Sequence, residues 1–149
     1  MQQTFEITGK FDSESSCNKL LYAPLDKPLT CREQQCYRFE YDGDEAALLG
    51  FVHRVLVDPI SQDLHAGGAL LWPTAAFVLE YGMKSAALDL EKEMILNYYR
   101  AVQAPGFTIT KLTLRKRVYV FGKGADPAPF VRDVVNPAIH THSVEFPGA

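Results

Sequence analysis

The residues most able to do chemistry lie in two short runs near the end of the chain. Arg115, Lys116 and Arg117 form the one tight basic run, and His140 and His142 lie two residues apart further on. On a strand, Arg115 and Arg117 share one face and Lys116 takes the other. Two guanidinium groups on one face could hold a phosphate through paired hydrogen bonds. A solvated strand edge that discourages aggregation is the alternative, and we favour it.

The histidine pair and the single tryptophan are the other candidates. On a strand, His140 and His142 share one face and could reach one metal ion. Glu145 would point to the opposite face, so it could not complete the set of metal ligands. We therefore favour a partner-contacting or surface edge and predict no metal. Trp72, next to a proline in an apolar stretch, is more typical of an interface anchor than of a ligand platform. Phosphate-loop and nucleophile-elbow motifs are missing from the sequence, so we predict no catalytic residue and no cofactor.

Composition narrows the class of protein. The chain has 149 residues, 47% of them apolar and 22% charged, which suits one compact domain with a real core. A net charge of −3 argues against nucleic-acid binding, and the apolar runs are too short for a membrane span. Cys17, Cys31 and Cys36 are an odd set without a CxxC motif, which favours reduced, buried thiols and a cytoplasmic protein.

Apolar spacing predicts the elements that position these residues. Alternation predicts strands over 4–11, 36–41, 75–81, 107–114, 117–121 and 139–146, with a connector or strand over 60–64. Three- and four-residue spacing predicts helices over 13–21 (capped by Asp12 or Ser13), 45–57, 85–102 and after Pro127. The helix over 85–102 carries one apolar face, which includes Leu90, Met94, Ile95 and Tyr98.

The order of these elements predicts an α+β fold. From Ala75 onward the order is strand, helix, strand, strand, helix, strand, which is the ferredoxin-like plan. Residues 37–64 and 118–146 also share a strand, a turn, a helix and an Asp-Pro or Asn-Pro stop. This weak repeat predicts two ferredoxin-like halves, residues 1–74 and 75–149, within one compact structural unit. A single irregular α+β domain is the alternative.

A family resemblance rests on five stretches of the sequence. They read CYRFEY, VLVDPISQDLHAG, FVLEYGMKS, ITKLTLRKRVYVFGK and FVRDVVNPAIHTHSVEF, in that order. Together they resemble the N-terminal domain of formylglycinamidine ribonucleotide (FGAM) synthase, which is itself similar to a dimer of the small separate subunit PurS. The resemblance covers roughly Cys36 to Phe146 and matches the overall pattern, without a diagnostic motif.

The resemblance implies a scaffold. The two halves would pack as a PurS-dimer-like module that organises the synthetase and glutaminase parts of the FGAM synthase in purine biosynthesis. The family's ATP site and glutaminase nucleophile lie in other domains or subunits, so this chain would have no activity alone within an ATP-dependent amidoligase. Expected partners are those parts and, through the sheet edges, a further copy of the chain. A small ferredoxin-like ligand-binding protein or enzyme unrelated to purines is the alternative.

Overall fold

A computed structural model describes residues 1–10 and 14–147. Within them the chain is α+β, with a seven-stranded antiparallel sheet and three α-helices. The strands are β1 (Gln2–Gly9), β2 (Ser15–Ser16), β3 (Thr30–Gly43), β4 (Gln62–Ala66), β5 (Phe77–Met83), β6 (Phe107–Phe121) and β7 (His140–Glu145). The helices are α1 (Glu45–Val55), α2 (Leu90–Ala101) and α3 (Ala128–Val134), with a short 3-10 helix over Cys17–Leu20. The α+β prediction is confirmed, while the two ferredoxin-like halves stay a prediction.

The chain forms two compact units, and each is assembled from three separate stretches. Unit 1 holds residues 1–10, 35–68 and 88–114, and unit 2 holds residues 14–34, 69–87 and 115–147. Strands β3 and β6 contribute to both units, because each one passes from one unit into the other along its length. Neither unit coincides with residues 1–74 or 75–149, and the predicted division of the chain there stays a prediction.

In unit 1, helices α1 and α2 cover one part of the sheet. Strand β1 pairs antiparallel with β3 on one side and with β4 on the other. Alternate residues of these strands point to the helices, because successive side chains on a strand take opposite faces. The hydrophobic core of unit 1 comprises Phe5, Ile7, Tyr37, Phe39, Tyr41, Leu48, Phe51, Val52, Ile95, Phe107, Leu112 and Leu114.

In unit 2, the part of the sheet around β5 is formed by its antiparallel pairing with β6 and with β7. The short strand β2 pairs with the first residues of β3. One face of this sheet is covered by α3 and the 3-10 helix, and its core comprises Cys17, Leu21, Leu29, Cys31, Phe77, Leu79, Val118, Val120, Phe130 and Val135. A smaller cluster of Ala75, Val78 and Tyr119 lies apart from that core.

Three predicted elements need correction. Residues 107–121 form one strand, because alternation continues through the basic run and Lys116 and Arg117 stay paired with β5. Helix α2 begins at Leu90 and not at 85, because the Asp89 carboxylate accepts from the Lys92 amide and caps it there. The helix predicted over 13–21 is one 3-10 turn capped by Ser16, while the predicted caps Asp12 and Ser13 lie outside the described residues.

Candidate functional site

The basic run and the histidine pair come together in unit 2, on neighbouring strands of its sheet. Within the register of β5 with β6 and β7, Glu80 pairs with Arg117, whereas Tyr81 pairs with both Lys116 and His142. Paired residues of antiparallel strands share a face. Arg115 and Arg117 therefore lie on one face with Glu80, while Lys116, His140 and His142 lie on the opposite face. The five predicted residues do not form one site.

On the arginine face a carboxylate already occupies the position between the two guanidinium groups. Arg115 Nε lies 3.6 Å from Glu80 Oε1, and Arg117 Nε lies 3.7 Å from Glu80 Oε2. Arg115 also donates through Nη1 to Thr141 Oγ1 at 2.7 Å. An arriving phosphate would compete with Glu80 for both cations, so this arrangement suits a structural ion-pair network better than an open anion site. A contact with substrate phosphate or a partner at these residues stays a prediction.

On the opposite face of the sheet, the rings of His140 and His142 have different surroundings. His140 packs edge-on against Tyr81 with ring centroids 5.2 Å apart, and its Nδ1 accepts from the Asn136 amide at 3.0 Å. Partial burial, and then the charges of Lys116 and Arg115, lower the pKa of His140. His142 is exposed. Within residues 1–10 and 14–147 no group of three or more His, Cys, Asp or Glu side chains could hold a metal ion.

Trp72, the predicted interface anchor, packs inside unit 2. It is half-buried, with its ring edge-to-face against Tyr119 at 4.8 Å and the Arg32 guanidinium 4.1 Å from its ring centroid. The Tyr119 hydroxyl in turn donates to the side-chain oxygen of Gln34 at 2.7 Å. Sequence reasoning missed Arg32, which lies 40 residues from Trp72 and carries no local signal of the stacking. The contacts seen here are packing contacts, and an interface role for Trp72 stays a prediction.

A groove that the sequence did not indicate lies in unit 1. It has a volume of about 310 Å³ and is lined by Gln35, Tyr37, Val55, Leu56, Gln62, Glu91, Met94, Ile95 and Tyr98. In the groove the Tyr37 hydroxyl donates to Glu91 Oε1 at 2.7 Å. Burial of the ring, and then the bond to Glu91 and its charge, raise the pKa of Tyr37 above its usual range, so the phenol stays protonated.

An exposed apolar stripe of α2 continues from that groove. Leu90, Met94 and Tyr98 recur every four residues, and their exposed fractions are 72%, 53% and 56%. Leu88, just before the helix, is 67% exposed. We call these four residues the α2 stripe. Of the residues on the predicted apolar face of this helix, Ile95 is buried, whereas Leu90, Met94 and Tyr98 are exposed to solvent.

Comparisons with known proteins do not identify a relative. No protein-family model matches the chain, and neither a curated protein nor a solved structure matches it significantly. In the described part of the chain no helix is long and apolar enough to cross a membrane.

Proposed function

We propose that this chain is a non-catalytic scaffold module of an FGAM synthase, acting in the cytoplasm. In this proposal it holds the synthetase and glutaminase parts together by protein contacts and performs no chemical step itself. The sequence resemblance supplies the identity of the partners. The α2 stripe is the observation that supports a role in protein contact.

The α2 stripe has the properties of a partner-binding surface. Four large apolar side chains lie more than half exposed at neighbouring positions, whereas single exposed apolar residues are the norm on a monomer surface. Methionine and tyrosine are enriched in interface cores, because one adapts its shape and the other adds a hydroxyl that can stay hydrated. Covering this stripe would remove its apolar surface from water and stabilise a complex.

The groove favours a second candidate function, that of a small-molecule-binding protein unrelated to purine synthesis. Its volume of about 310 Å³ lies at the lower end of the range for ligand pockets. The Tyr37 hydroxyl and the Glu91 carboxylate would supply orienting polar groups among apolar walls. The first candidate function places a protein partner against Met94 and Tyr98, whereas this one places a small molecule in the groove beside them.

A binding measurement on three proteins tests the scaffold proposal. The immobilised chain is exposed to the purified synthetase and glutaminase parts, alone and mixed, and affinity is read by biolayer interferometry. We expect binding, and we expect the double variant Met94→Glu/Tyr98→Glu to weaken it by roughly tenfold or more, since interface anchors dominate binding energy. Ile60→Glu is the matched control, because Ile60 is 78% exposed in the same unit but lies outside the stripe.

The outcomes separate the candidates. Failure of the wild-type chain to bind either part contradicts the FGAM synthase assignment. Binding that survives the double variant unchanged removes the α2 stripe from the interface and leaves the assignment standing. For the second candidate, native mass spectrometry of the chain purified from its own source should show a bound small molecule that the Tyr98→Glu change reduces.

A further inference from the structure

Two of the three cysteines lie side by side in the core of unit 2. Cys17 and Cys31 are 1% and 0% exposed, and both belong to the same buried cluster. Strand pairing sets Ser15 opposite Cys31, and the Cys17 amide donates to the Leu29 carbonyl at 3.1 Å. These backbone contacts hold the start of the 3-10 helix against β3. Because Ser15 pairs with Cys31 and Ser16 with Thr30, Cys17 follows the strand partner of Cys31 by two residues, and the two side chains interact within the buried cluster.

We propose that Cys17 and Cys31 are a redox-active dithiol pair, which a low-molecular-weight disulfide such as oxidised glutathione converts reversibly into an intramolecular disulfide. The proposal is independent of the scaffold function. It modifies the sequence-based expectation of plain buried thiols by assigning a chemical role to two of the three.

The environment of the pair assigns an order to the reaction. The hydrogen bond from Cys17 lowers the pKa of Cys31 despite its burial, with a smaller contribution from the charge of Lys19. The same bond, together with burial, raises the pKa of Cys17. The thiolate is the attacking species in disulfide exchange, so Cys31 is the first nucleophile and Cys17 the resolving thiol.

The two steps balance in atoms and electrons. The Cys31 thiolate attacks one sulfur of oxidised glutathione, breaks its S–S bond and releases one glutathione thiolate. Cys17 then gives up its proton and attacks the Cys31 sulfur of the mixed disulfide, releasing the second glutathione. The two cysteines are oxidised by two electrons, the glutathione disulfide is reduced by two, and the released glutathione takes up the two protons.

Access to the buried pair requires only a local opening. The cover is the four-residue 3-10 helix and the segment that follows it, in which Tyr22 is 87% exposed. The segment is fastened to α3 and to the loop before it by bonds from the Tyr22 amide to Asp133 Oδ2 at 3.1 Å and from Lys27 Nζ to the Gly124 carbonyl at 2.8 Å. Segments with few such bonds open far more often than the whole fold does.

Thiol counting on the whole chain tests the proposal. The protein is equilibrated in reduced-to-oxidised glutathione buffers, quenched, denatured, labelled with a maleimide and weighed intact. We expect the reduced protein to take three labels, one per cysteine. The oxidised protein should take a single label and lose about 2 Da from its unlabelled mass, which corresponds to two hydrogens. Peptide mapping should join residue 17 to residue 31 and leave the label on Cys36.

Variants sharpen the test. Cys36→Ser is the matched control, because Cys36 is also buried but belongs to unit 1, and its oxidised form should keep the Cys17–Cys31 bond. Cys17→Ser should instead keep glutathione on Cys31 as a mixed disulfide. In the wild type and Cys36→Ser, oxidation should raise the melting temperature equally, because the bond closes the loop of residues 18–30. Three labels under all buffers, or a bond to Cys36, would overturn the proposal.

Discussion

Helices α1 and α2 of unit 1 are nearly equal in length and begin in the same way, yet they bury different numbers of side chains in the core. Each has an aspartate cap, Asp44 for α1 and Asp89 for α2. Helix α1 buries Leu48, Phe51 and Val52 completely, whereas Ile95 is the buried residue of α2. Helix α2 leaves the residues of its stripe in water and adds a polar contact, the bond between Glu91 and Tyr37.

Helix α1 is therefore mainly a core element of unit 1, whereas much of the apolar surface of α2 lies outside the core. Helix α1 buries three large apolar side chains and α2 one, so α1 contributes more to the free energy of unfolding of unit 1. The exposed apolar surface of α2 can contact another molecule without any packing within the unit being broken first. A surface of this kind can bind and release a partner without disturbing the unit that carries it.

The largest expected effect comes from the buried side of α1. Phe51 is fully buried and contacts Tyr99 and Phe107 through its ring, so Phe51→Ala should lower the free energy of unfolding by about 3–5 kcal/mol. Met94→Ala, on the exposed side of α2, should change it by less than about 0.5 kcal/mol. Urea denaturation of both variants measures the contrast. Equal losses would show that α2 carries as much of the core as α1.

The next effect concerns the bond that holds α2 to β3. Tyr37→Phe removes the donor to Glu91 and should lower the stability near neutral pH by about 2 kcal/mol, the range for a hydrogen bond to a charged group. Because burial and Glu91 raise the pKa of Tyr37, the stabilisation is present below about pH 10, where the unfolded tyrosine ionises, and is lost as the pH rises further.

The difference in stability between the wild type and Tyr37→Phe should therefore shrink above about pH 10. Urea titrations at several alkaline pH values measure this, and other tyrosines cancel because both proteins share them. A difference that stays constant through that range would mean that the ionisation of Tyr37 is not linked to folding.

The smallest effect compares the two caps. Asp44 accepts from the Ala46 amide at 3.0 Å, and Asp89 accepts from the Lys92 amide at 3.2 Å. Asp44→Ala and Asp89→Ala should each cost about 1 kcal/mol of helix stability. In Asp44→Ala the loss should appear in global unfolding, whereas in Asp89→Ala hydrogen exchange should quicken mainly within α2. Global destabilisation of the same size in both variants would contradict the contrast between the helices.

The same pair of helices shows how far the sequence could be interpreted. The spacing of Leu48, Phe51 and Val52 leaves one side of α1 apolar, so its buried face followed directly from the pattern. Helix α2 carries apolar residues over a wide arc. Spacing alone could not decide which side of that arc meets the core, because tertiary packing decides it. The groove, built from β3, α1, β4 and α2 residues, had no local signal.

Strands were predicted well where alternation was strict, but their lengths were not. Nothing in the local pattern at Arg115 to Arg117 distinguishes a turn between two strands from a continuing one, and the pairing with β5 decides it. The shared face of Arg115 and Arg117 followed from parity alone. Their partner Glu80 did not, because a cross-strand neighbour depends on the register of two distant segments.

Because β3 and β6 pass through both units, the chain should not tolerate expression as two separate fragments. A fragment of residues 1–74 would hold β1, β3 and β4 but lack α2 and β6, and a fragment of residues 75–149 would lack β3. Each piece alone would expose apolar strands to aggregation. Co-expressed, the two pieces should restore both units together or neither, so complementation would behave as a single all-or-none event.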